Sequence, residues 1–185
     1  NFHVVSYPVD SNRVSFVAAL KNDNKFKESW KEKGTIDDLL DEVPPRIIDK
    51  YKSIKESKNI YKWGVYIRPQ IEFLFKENIT YLGDAAHPIV PFIGQGGCMA
   101  LEDAYAFGYL LSKHNNDIEI AQKNYQELRL KRIRSIHKTS LFQAKLNHLS
   151  NPFLVRLRNI LMRYTGVISY RTKSIWSYDI TAELS

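Results

Sequence analysis

The sequence predicts an α+β fold, and three of its features support that class. Two runs rich in β-branched and aromatic residues, 3–9 and 13–20, flank Asp10-Ser11-Asn12, which is the pattern of a β-hairpin. A short apolar run at 79–82 precedes a loop rich in Pro and Gly and then a helical pattern at 98–112. From residue 118 onward apolar residues recur near a 3.6-residue period, so we expect mostly helix there.

Small helices and one more strand are predicted between the hairpin and the apolar run. A short helix at 26–33 would end at Gly34. Thr35 is the expected N-cap of the next helix, because two aspartates follow in its first turn. The pair Pro44-Pro45 ends that helix and begins another. Residues 59–68 are rich in aromatic and β-branched side chains and predict a strand.

Three longer helices are predicted, at 98–112, at about 118–146 and at 153–164. The first is expected to bury Met99, Leu101, Ala104, Tyr105, Leu110 and Leu111. The second has an apolar stripe of Ala121, Tyr125, Leu128, Ile133, Ile136 and Leu141.

The composition is that of a globular protein. Hydrophobic residues make up 44% of the 185 residues and charged residues 25%, which is enough apolar surface for a core. The single cysteine, Cys98, excludes an internal disulfide and a cysteine-rich metal site, and it fits a reducing, cytoplasmic setting. No apolar run approaches the ~18 residues of a transmembrane helix, and no leader pattern is present. Because the chain begins at Asn1, directly before a strand-like run, we interpret it as cut from a longer chain.

The net charge of +7 is concentrated in the run 129–134 and around Arg156 and Arg158. Such a run is either a solvated helix face or a patch for nucleic acid or anionic membrane. Basic runs usually are solvated faces, so we expect no nucleic-acid partner.

Residues 81–104 contain the pattern that bears on chemistry. A strand would deliver Asp84 to its C-terminal end, the edge at which α/β sheets bind ligands. The glycines of Gly94-x-Gly96-Gly97 then open a helix, where free amides favour negative charge. The alternative is a plain tight turn. The loop is neither a Walker A sequence nor a Rossmann fingerprint, because no Gly-Lys-Ser/Thr follows and Met99 stands where a third glycine would.

These residues resemble a known motif. The second FAD-binding motif of the group A flavoprotein monooxygenases, in the form of salicylate hydroxylase and its relatives, is closely similar to Gly83-Asp84-Ala85-Ala86-His87-Pro88, Pro91-x-x-Gly94-Gln95-Gly96-Gly97 and Glu102-Asp103-Ala104. The stretch 94–100 also resembles the urate hydroxylase and zeaxanthin epoxidase branches. The resemblance extends over most of the chain, through Trp63, Arg68-Pro69, Tyr125-x-x-x-Arg129-x-x-Arg132, Ser140 and Trp176-x-Tyr178-Asp179.

The resemblance implies that this α+β chain is the C-terminal part of an FAD/NAD(P)-binding flavin monooxygenase fold, and that the complete parent fold is of the α/β class. Residues 1–70 would form part of the substrate domain, with a partial antiparallel sheet. Residues 71–115 would be the strand–loop–helix of the FAD-binding domain, and 116–185 a C-terminal helical region. The family's N-terminal Gly-x-Gly-x-x-Gly and its middle Asp-Gly motif are absent here. The missing N-terminal part of the same polypeptide is therefore an implied partner.

The resemblance also implies roles for single residues. Asp84 would hydrogen-bond the ribityl chain of FAD, and Gly94 to Gly97 would bring the helix start to the pyrimidine edge of the flavin. Pro91 would face the ring and the substrate through its carbonyl, which makes it the catalytic candidate. The cofactor-binding set is completed by Gly83, Ala85, Gln95 and Cys98, the last expected as a small core-facing residue.

Other polar residues of the motif are interpreted as structural. His87 follows the strand end and is not expected to act as an acid or base, and Glu102 and Asp103 suit the first turns of a helix. Arg129 and Arg132 either pair with such acids or are solvated.

The implied reaction is hydroxylation of a small aromatic substrate with NADH or NADPH and O₂. Tyr7, Tyr66 and Arg68 are the candidate substrate residues, since an arginine suits an aromatic acid. A homodimer is compatible with the resemblance. Two alternatives stay open: a related flavin monooxygenase acting on urate or an alkene, and an inactive fragment or basic helical binding module.

Overall fold

The computed structural model describes residues 2–20, 29, 32–50, 52–57, 59–69 and 72–185. The chain forms two compact units. The first comprises Asn1–Val65 with Asn147–Ser150, and the second comprises Tyr66–Leu146 with Asn151–Ser185. The division into substrate, cofactor and helical regions remains a prediction.

The first unit begins with an antiparallel hairpin. Strand β1 spans Phe2–Pro8 and strand β2 spans Val14–Leu20, with Val5 opposite Val17 in the register. The Asp10 side chain accepts a hydrogen bond from the Asn12 amide at 2.9 Å, which closes the turn. The predicted hairpin is confirmed.

Two short helices follow in the first unit. Helix α1 spans Ile36–Glu42 and helix α2 spans Pro45–Lys50. Thr35 caps α1, as the sequence predicted, and the Asp38 side chain completes a capping box with it. The small core of this unit consists of Val43, Ile48 and Ile54.

A further helix and a strand were predicted in this region. The helix predicted at 26–33 lies mostly outside the described residues. The strand predicted at 59–68 is wrong, because in the described chain only Tyr61 makes a bridge there, opposite Lys33. Residues 65–68 are all exposed, so the run has neither a partner strand nor a face to bury.

The second unit begins with a minimal hairpin. Strand β3 spans Phe75–Lys76 and strand β4 spans Ile79–Thr80. The predicted apolar strand at 79–82 is therefore shorter than expected. Beyond it, Tyr81 donates its amide to the Leu74 carbonyl at 2.8 Å, and Leu82 has extended backbone.

Helix α3 spans Gly96–Lys113 and packs one narrow face into the core. The buried residues are Met99, Asp103, Ala106 and Leu110, at helical spacing. The predicted buried side was partly wrong, since Leu101, Ala104 and Tyr105 are exposed. The buried face is centred on Asp103, and a prediction that assigns only apolar residues to the core does not include an aspartate.

Four helices complete the second unit. They are α4 at Ile118–Asn147, α5 at Pro152–Tyr164, α6 at Val167–Trp176 and α7 at Ile180–Leu184. The predictions for α4 and α5 are confirmed to within one or two residues. The core joins α3, α4 and the C-terminal helices through Met99, Ala106, Leu110, Ala121, Tyr125, Ile133, Ile136, Ile175 and Leu184. Among the described residues no helix has the length and apolar character needed to span a membrane.

Candidate functional site

A 3-10 turn, Gly83–Ala85, presents Asp84 at the surface beside α3. Gly83 has φ of +56°, and a Cβ added to it would lie 3.1 Å from the Ala100 Cβ. Only glycine tolerates both this backbone and this close approach, so the turn can rest directly on α3. Asp84 and Ala85 are exposed, whereas Gly83 is buried.

The loop after this turn is anchored to the core at several points. The amides of Ala86 and His87 donate to the Gly83 carbonyl at 2.9 and 2.8 Å. The Ser140 hydroxyl of α4 donates to the Val90 carbonyl at 2.7 Å, in a buried position. A second 3-10 turn, Pro91–Ile93, then leaves Pro91 exposed.

Helix α3 begins with an open, uncapped end. Gln95 is buried at the N-cap, and among the described residues its side chain makes no capping hydrogen bond. Gly96 is half-buried, and Gly97 and Cys98 are exposed. The prediction that Cys98 faces the core is wrong, because the core face begins at Met99. Amides left free at such an end can bind an anion or a polarised oxygen.

Packing within the described chain does not require glycine at 96 or 97. A Cβ added to either would meet nothing within 4 Å among the described residues, and neither has the positive φ found at Gly94. Glycine inside a helix is destabilising by about 0.5–1 kcal/mol relative to alanine. The described residues therefore supply no packing reason for glycine at either position, and both leave the start of the helix backbone uncovered by a side chain.

A buried ionic network lies under the site. Asp103 of α3 is 0% exposed and accepts hydrogen bonds on both carboxylate oxygens. Its Oδ2 accepts from the Gly83 amide at 3.0 Å and contacts His87 Nε2 at 2.5 Å, and its Oδ1 accepts from Arg129 Nε at 2.8 Å. His87 is 4% exposed. It is therefore a structural partner of Asp103, in keeping with its sequence interpretation.

The same network reaches the C-terminal segment. Glu102 accepts from Arg129 at 2.7 Å and from Arg132 at 3.1 Å. Arg132 also donates to the Ser174 carbonyl at 2.8 Å and lies over the Tyr178 ring. Arg129 and Arg132 are 0% and 8% exposed and pair with these acids, which confirms one of the two alternatives for them and excludes the solvated basic face at these two positions. Lys131 and Arg134, in the same run, are exposed.

Contacts within this network shift the pKa values of Asp103 and Arg129. Burial by itself raises the pKa of the Asp103 carboxyl, but the hydrogen bonds from His87, Gly83 and Arg129 outweigh it and hold this pKa below its ordinary value. Burial lowers the pKa of Arg129, and its bonds to Asp103 and Glu102 more than compensate, so its pKa is raised. Asp103 is therefore ionised and Arg129 charged at neutral pH.

The candidate substrate residues lie in separate parts of the chain. Tyr7 is near the end of β1 in the first unit and is 52% exposed. Tyr66 and Arg68 lie in the irregular segment that begins the second unit, and both are exposed. Their contact with a substrate remains a prediction. No group of three or more His, Cys, Asp or Glu side chains that could hold a metal ion occurs among the described residues.

Known proteins resemble this chain in sequence and in structure. A 3-amino-4-hydroxybenzoate 2-monooxygenase of Streptomyces platensis is 30% identical over 160 residues, which are 86% of this chain and 40% of that protein. A 3-hydroxybenzoate 6-hydroxylase of Klebsiella oxytoca is 27% identical over 171 residues, 87% of this chain and 40% of its own length. No protein-family profile matches the chain.

Solved structures agree on the fold. A salicylate hydroxylase in complex with its substrate superposes with a TM-score of 0.69 at 24% identity, covering 98% of this chain and 46% of that one. Klebsiella pneumoniae HpxO, the R204Q variant complexed with FAD, has a TM-score of 0.64 at 24% identity and covers 95% and 47%. The chain is a homologue of the C-terminal part of FAD-dependent aromatic monooxygenases. The sequence-based recognition of this monooxygenase family, and of its partial α+β fold, is confirmed.

The chain spans 40% of the length of each of these two curated monooxygenases. The residues that the sequence assigned to this family's cofactor site occur as one continuous stretch, from the turn at Gly83 to the start of α3. Sequence reasoning left open that Arg129 and Arg132 pair with the acids of α3, but it did not foresee that Gly83 and His87 also bond to Asp103. The one available signal of this network was the pair Glu102-Asp103 on a helix that otherwise buries apolar residues.

Proposed function

We propose that this chain is the C-terminal part of an FAD-dependent monooxygenase that hydroxylates a small aromatic compound, such as a hydroxybenzoate or salicylate. NADH or NADPH would be the reductant and O₂ the oxygen source. An N-terminal part of the same polypeptide would supply the loop for the adenosine and pyrophosphate of FAD. A cytoplasmic setting, where the nicotinamide cofactor is available, fits the single cysteine.

One observation carries the proposal. Asp84 is exposed on a turn that rests on α3, and the start of the same helix is bare backbone at Gly96 and Gly97. A hydrogen-bond acceptor and an array of donors therefore occur on neighbouring segments. FAD offers a complement to each, because it has hydroxyls on its ribityl chain and a pyrimidine edge with carbonyl oxygens. The residues present fit this part of the cofactor.

When bound, FAD supplies the redox chemistry that moves one oxygen atom to the aromatic ring. The residues of this chain bind and orient it. The Asp84 carboxylate accepts hydrogen bonds from hydroxyl groups, and the amide end of α3 stabilises negative charge by about 0.3–1 kcal/mol, or ~2 in a partly buried site. Pro91 is exposed in its 3-10 turn, where its carbonyl accepts the Gly94 amide at 3.3 Å, and its approach to the flavin ring and the substrate is part of the proposal.

The proposal is tested on the longer polypeptide, with Asp84→Ala as the variant. Loss of a hydrogen bond to a charged group costs about 1.5–3 kcal/mol, which corresponds to roughly a 10- to 150-fold weaker affinity. We expect FAD retention, followed by absorbance and by fluorescence titration, to fall by that factor. We also expect a hydroxybenzoate or salicylate to stimulate NAD(P)H oxidation by the unmodified protein.

Glu127→Ala is the matched control, because Glu127 is an exposed carboxylate on α4. It should leave the flavin content unchanged. A longer polypeptide that purifies without flavin and does not take it up, or an Asp84→Ala protein with full flavin content, would contradict the proposal.

A further inference from the structure

The turn that carries Asp84 is held at both of its ends by one oxygen atom. Gly83, directly before Asp84, donates its amide to Asp103 Oδ2 at 3.0 Å. His87, three residues after Asp84, contacts the same oxygen through Nε2 at 2.5 Å. Asp84 itself is exposed between these two anchors.

Only an ionised carboxylate satisfies every partner at position 103. Its Oδ2 accepts from Gly83 and His87 while its Oδ1 accepts from Arg129 Nε at 2.8 Å. Because a carboxylate only accepts, Nε2 is the nitrogen of His87 that carries the proton. An asparagine would direct its NH₂ group against the N–H of either Arg129 or Gly83, so that two donors would face each other.

Asp103 cannot act on a ligand at the surface directly, because it is 0% exposed. We propose that Asp103 is a positioning residue, which acts through Gly83 and His87 to fix the turn that presents Asp84 to the cofactor. This inference rests on the proposed function. In this inference the buried Asp103 carboxylate determines the orientation of Asp84, the exposed residue that would bind FAD.

The neighbouring Glu102 provides the comparison. Glu102 also pairs with Arg129, at 2.7 Å, and with Arg132, but Gly83 and His87 bond to Asp103. Neutralising Glu102 therefore weakens the ionic network without removing a bond to the turn. A purely structural role of the network would make Glu102 and Asp103 equivalent in their effect on FAD binding.

The test is a double-mutant cycle for FAD affinity in the longer polypeptide. The proteins are the unmodified form, Asp84→Ala, Asp103→Asn and the double variant, with Glu102→Gln as control. We expect Asp103→Asn to weaken FAD binding at least tenfold and Glu102→Gln to change it by less than about twofold. We expect the double variant to bind no more than about threefold more weakly than Asp84→Ala alone, because both changes remove the same contact.

Amide hydrogen exchange without FAD gives a second readout. Asp103→Asn should accelerate exchange at Gly83, Ala86 and His87, while the centre of α3 keeps its protection. If Asp103→Asn does not fold, His87→Leu serves instead, since it removes the other anchor of the turn. His87→Gln, which keeps a donor near the position of Nε2, should restore FAD affinity to within about threefold.

The outcomes separate this inference from the proposed function. If FAD binds and Asp84→Ala weakens it, but Asp103→Asn and His87→Leu do not, the positioning role alone is refuted. The positioning role is also refuted if the losses of FAD affinity caused by Asp84→Ala and Asp103→Asn multiply in the double variant. It is refuted as well if Glu102→Gln loses as much FAD affinity as Asp103→Asn. Failure of the unmodified longer polypeptide to bind FAD would overturn the proposed function, and the positioning role with it.

Discussion

Gly97 and Gly108 lie in the same helix, α3, and differ in position relative to the candidate site. A Cβ at either would meet nothing within 4 Å among the described residues. Gly97 is in the first turn beside the exposed Cys98, whereas Gly108 is well inside the helix. Substitution of either glycine should therefore affect folding in the same way, whereas only substitution of Gly97 should affect a ligand bound at the start of α3.

The substitutions Gly97→Ala and Gly108→Ala separate stability from binding. Alanine is expected to leave stability unchanged or raise it, by up to about 1 kcal/mol, because it favours a helix. Only Gly97→Ala should weaken FAD binding in the longer polypeptide, by at least tenfold, since its methyl group would occupy the approach to the helix backbone. Urea unfolding and flavin titration measure the two effects. Equal FAD affinity in both variants would contradict a ligand at this helix end.

Asp103 gives a prediction for the pH dependence of stability. Its folded pKa lies below the unfolded value of about 3.9, so its contribution is present above that pH and is lost as the pH falls through the folded pKa. The stability difference between the unmodified protein and Asp103→Asn should therefore be largest near pH 6 and shrink toward pH 3. Glu127→Gln, an exposed control, should give a small difference at both pH values in urea unfolding.

At the scale of elements, a single buried hydroxyl joins α4 to the loop before Pro91. Ser140 is 0% exposed and donates to the Val90 carbonyl at 2.7 Å. Val90 is also buried, so its carbonyl has poor access to water. The sequence indicated Ser140 only through the resemblance to the monooxygenase family. The structure shows its physical role, which is to bond the Val90 carbonyl.

Removing this hydroxyl should loosen the loop. Ser140→Ala leaves the Val90 carbonyl without its partner, which costs about 1–3 kcal/mol. Thr139→Ala is the control, because the Thr139 hydroxyl bonds the Ser135 carbonyl within its own helix at 2.9 Å. We expect the control to change the free energy of unfolding by less than about 0.5 kcal/mol. Equal effects of the two substitutions in urea unfolding would show that the Val90 bond contributes nothing.

At the scale of the whole molecule, large apolar side chains are exposed in both units. In the second unit they include one side of α5, with Phe153, Leu157 and Tyr164 at 74%, 44% and 72% exposure. In the first unit Val5, Val14 and Val17 of the hairpin are more than 40% exposed. Exposed apolar surface within a unit is typical of regions that contact protein, membrane or ligand.

The proposed N-terminal part gives this observation a test. The chain produced alone is expected to self-associate and to increase the fluorescence of an apolar dye. The longer polypeptide should be monodisperse in light scattering and bind several-fold less dye per chain. A chain that remains monomeric by itself, without dye binding, would show that the N-terminal part is not needed to cover these side chains.

The sequence by itself determined the local structure and the family. The hairpin at Asp10–Asn12 and the N-cap at Thr35 follow from turn and cap chemistry within a few residues, and short-range preferences of this kind do not depend on the rest of the fold. The cofactor stretch was recognised for the same reason, because its glycines and Asp84 are contiguous in sequence.

Only the tertiary structure decided which side chains are inside. Residues 59–68 have strand-forming composition but no strand beside them, and Leu101 and Cys98 turn outward because the α3 face is centred on Asp103. Asp103 and Arg129 are 26 residues apart, and each offsets part of the cost of burying the other. The cost of burying a charge depends on its partner, and a partner distant in sequence is fixed only when the helices pack.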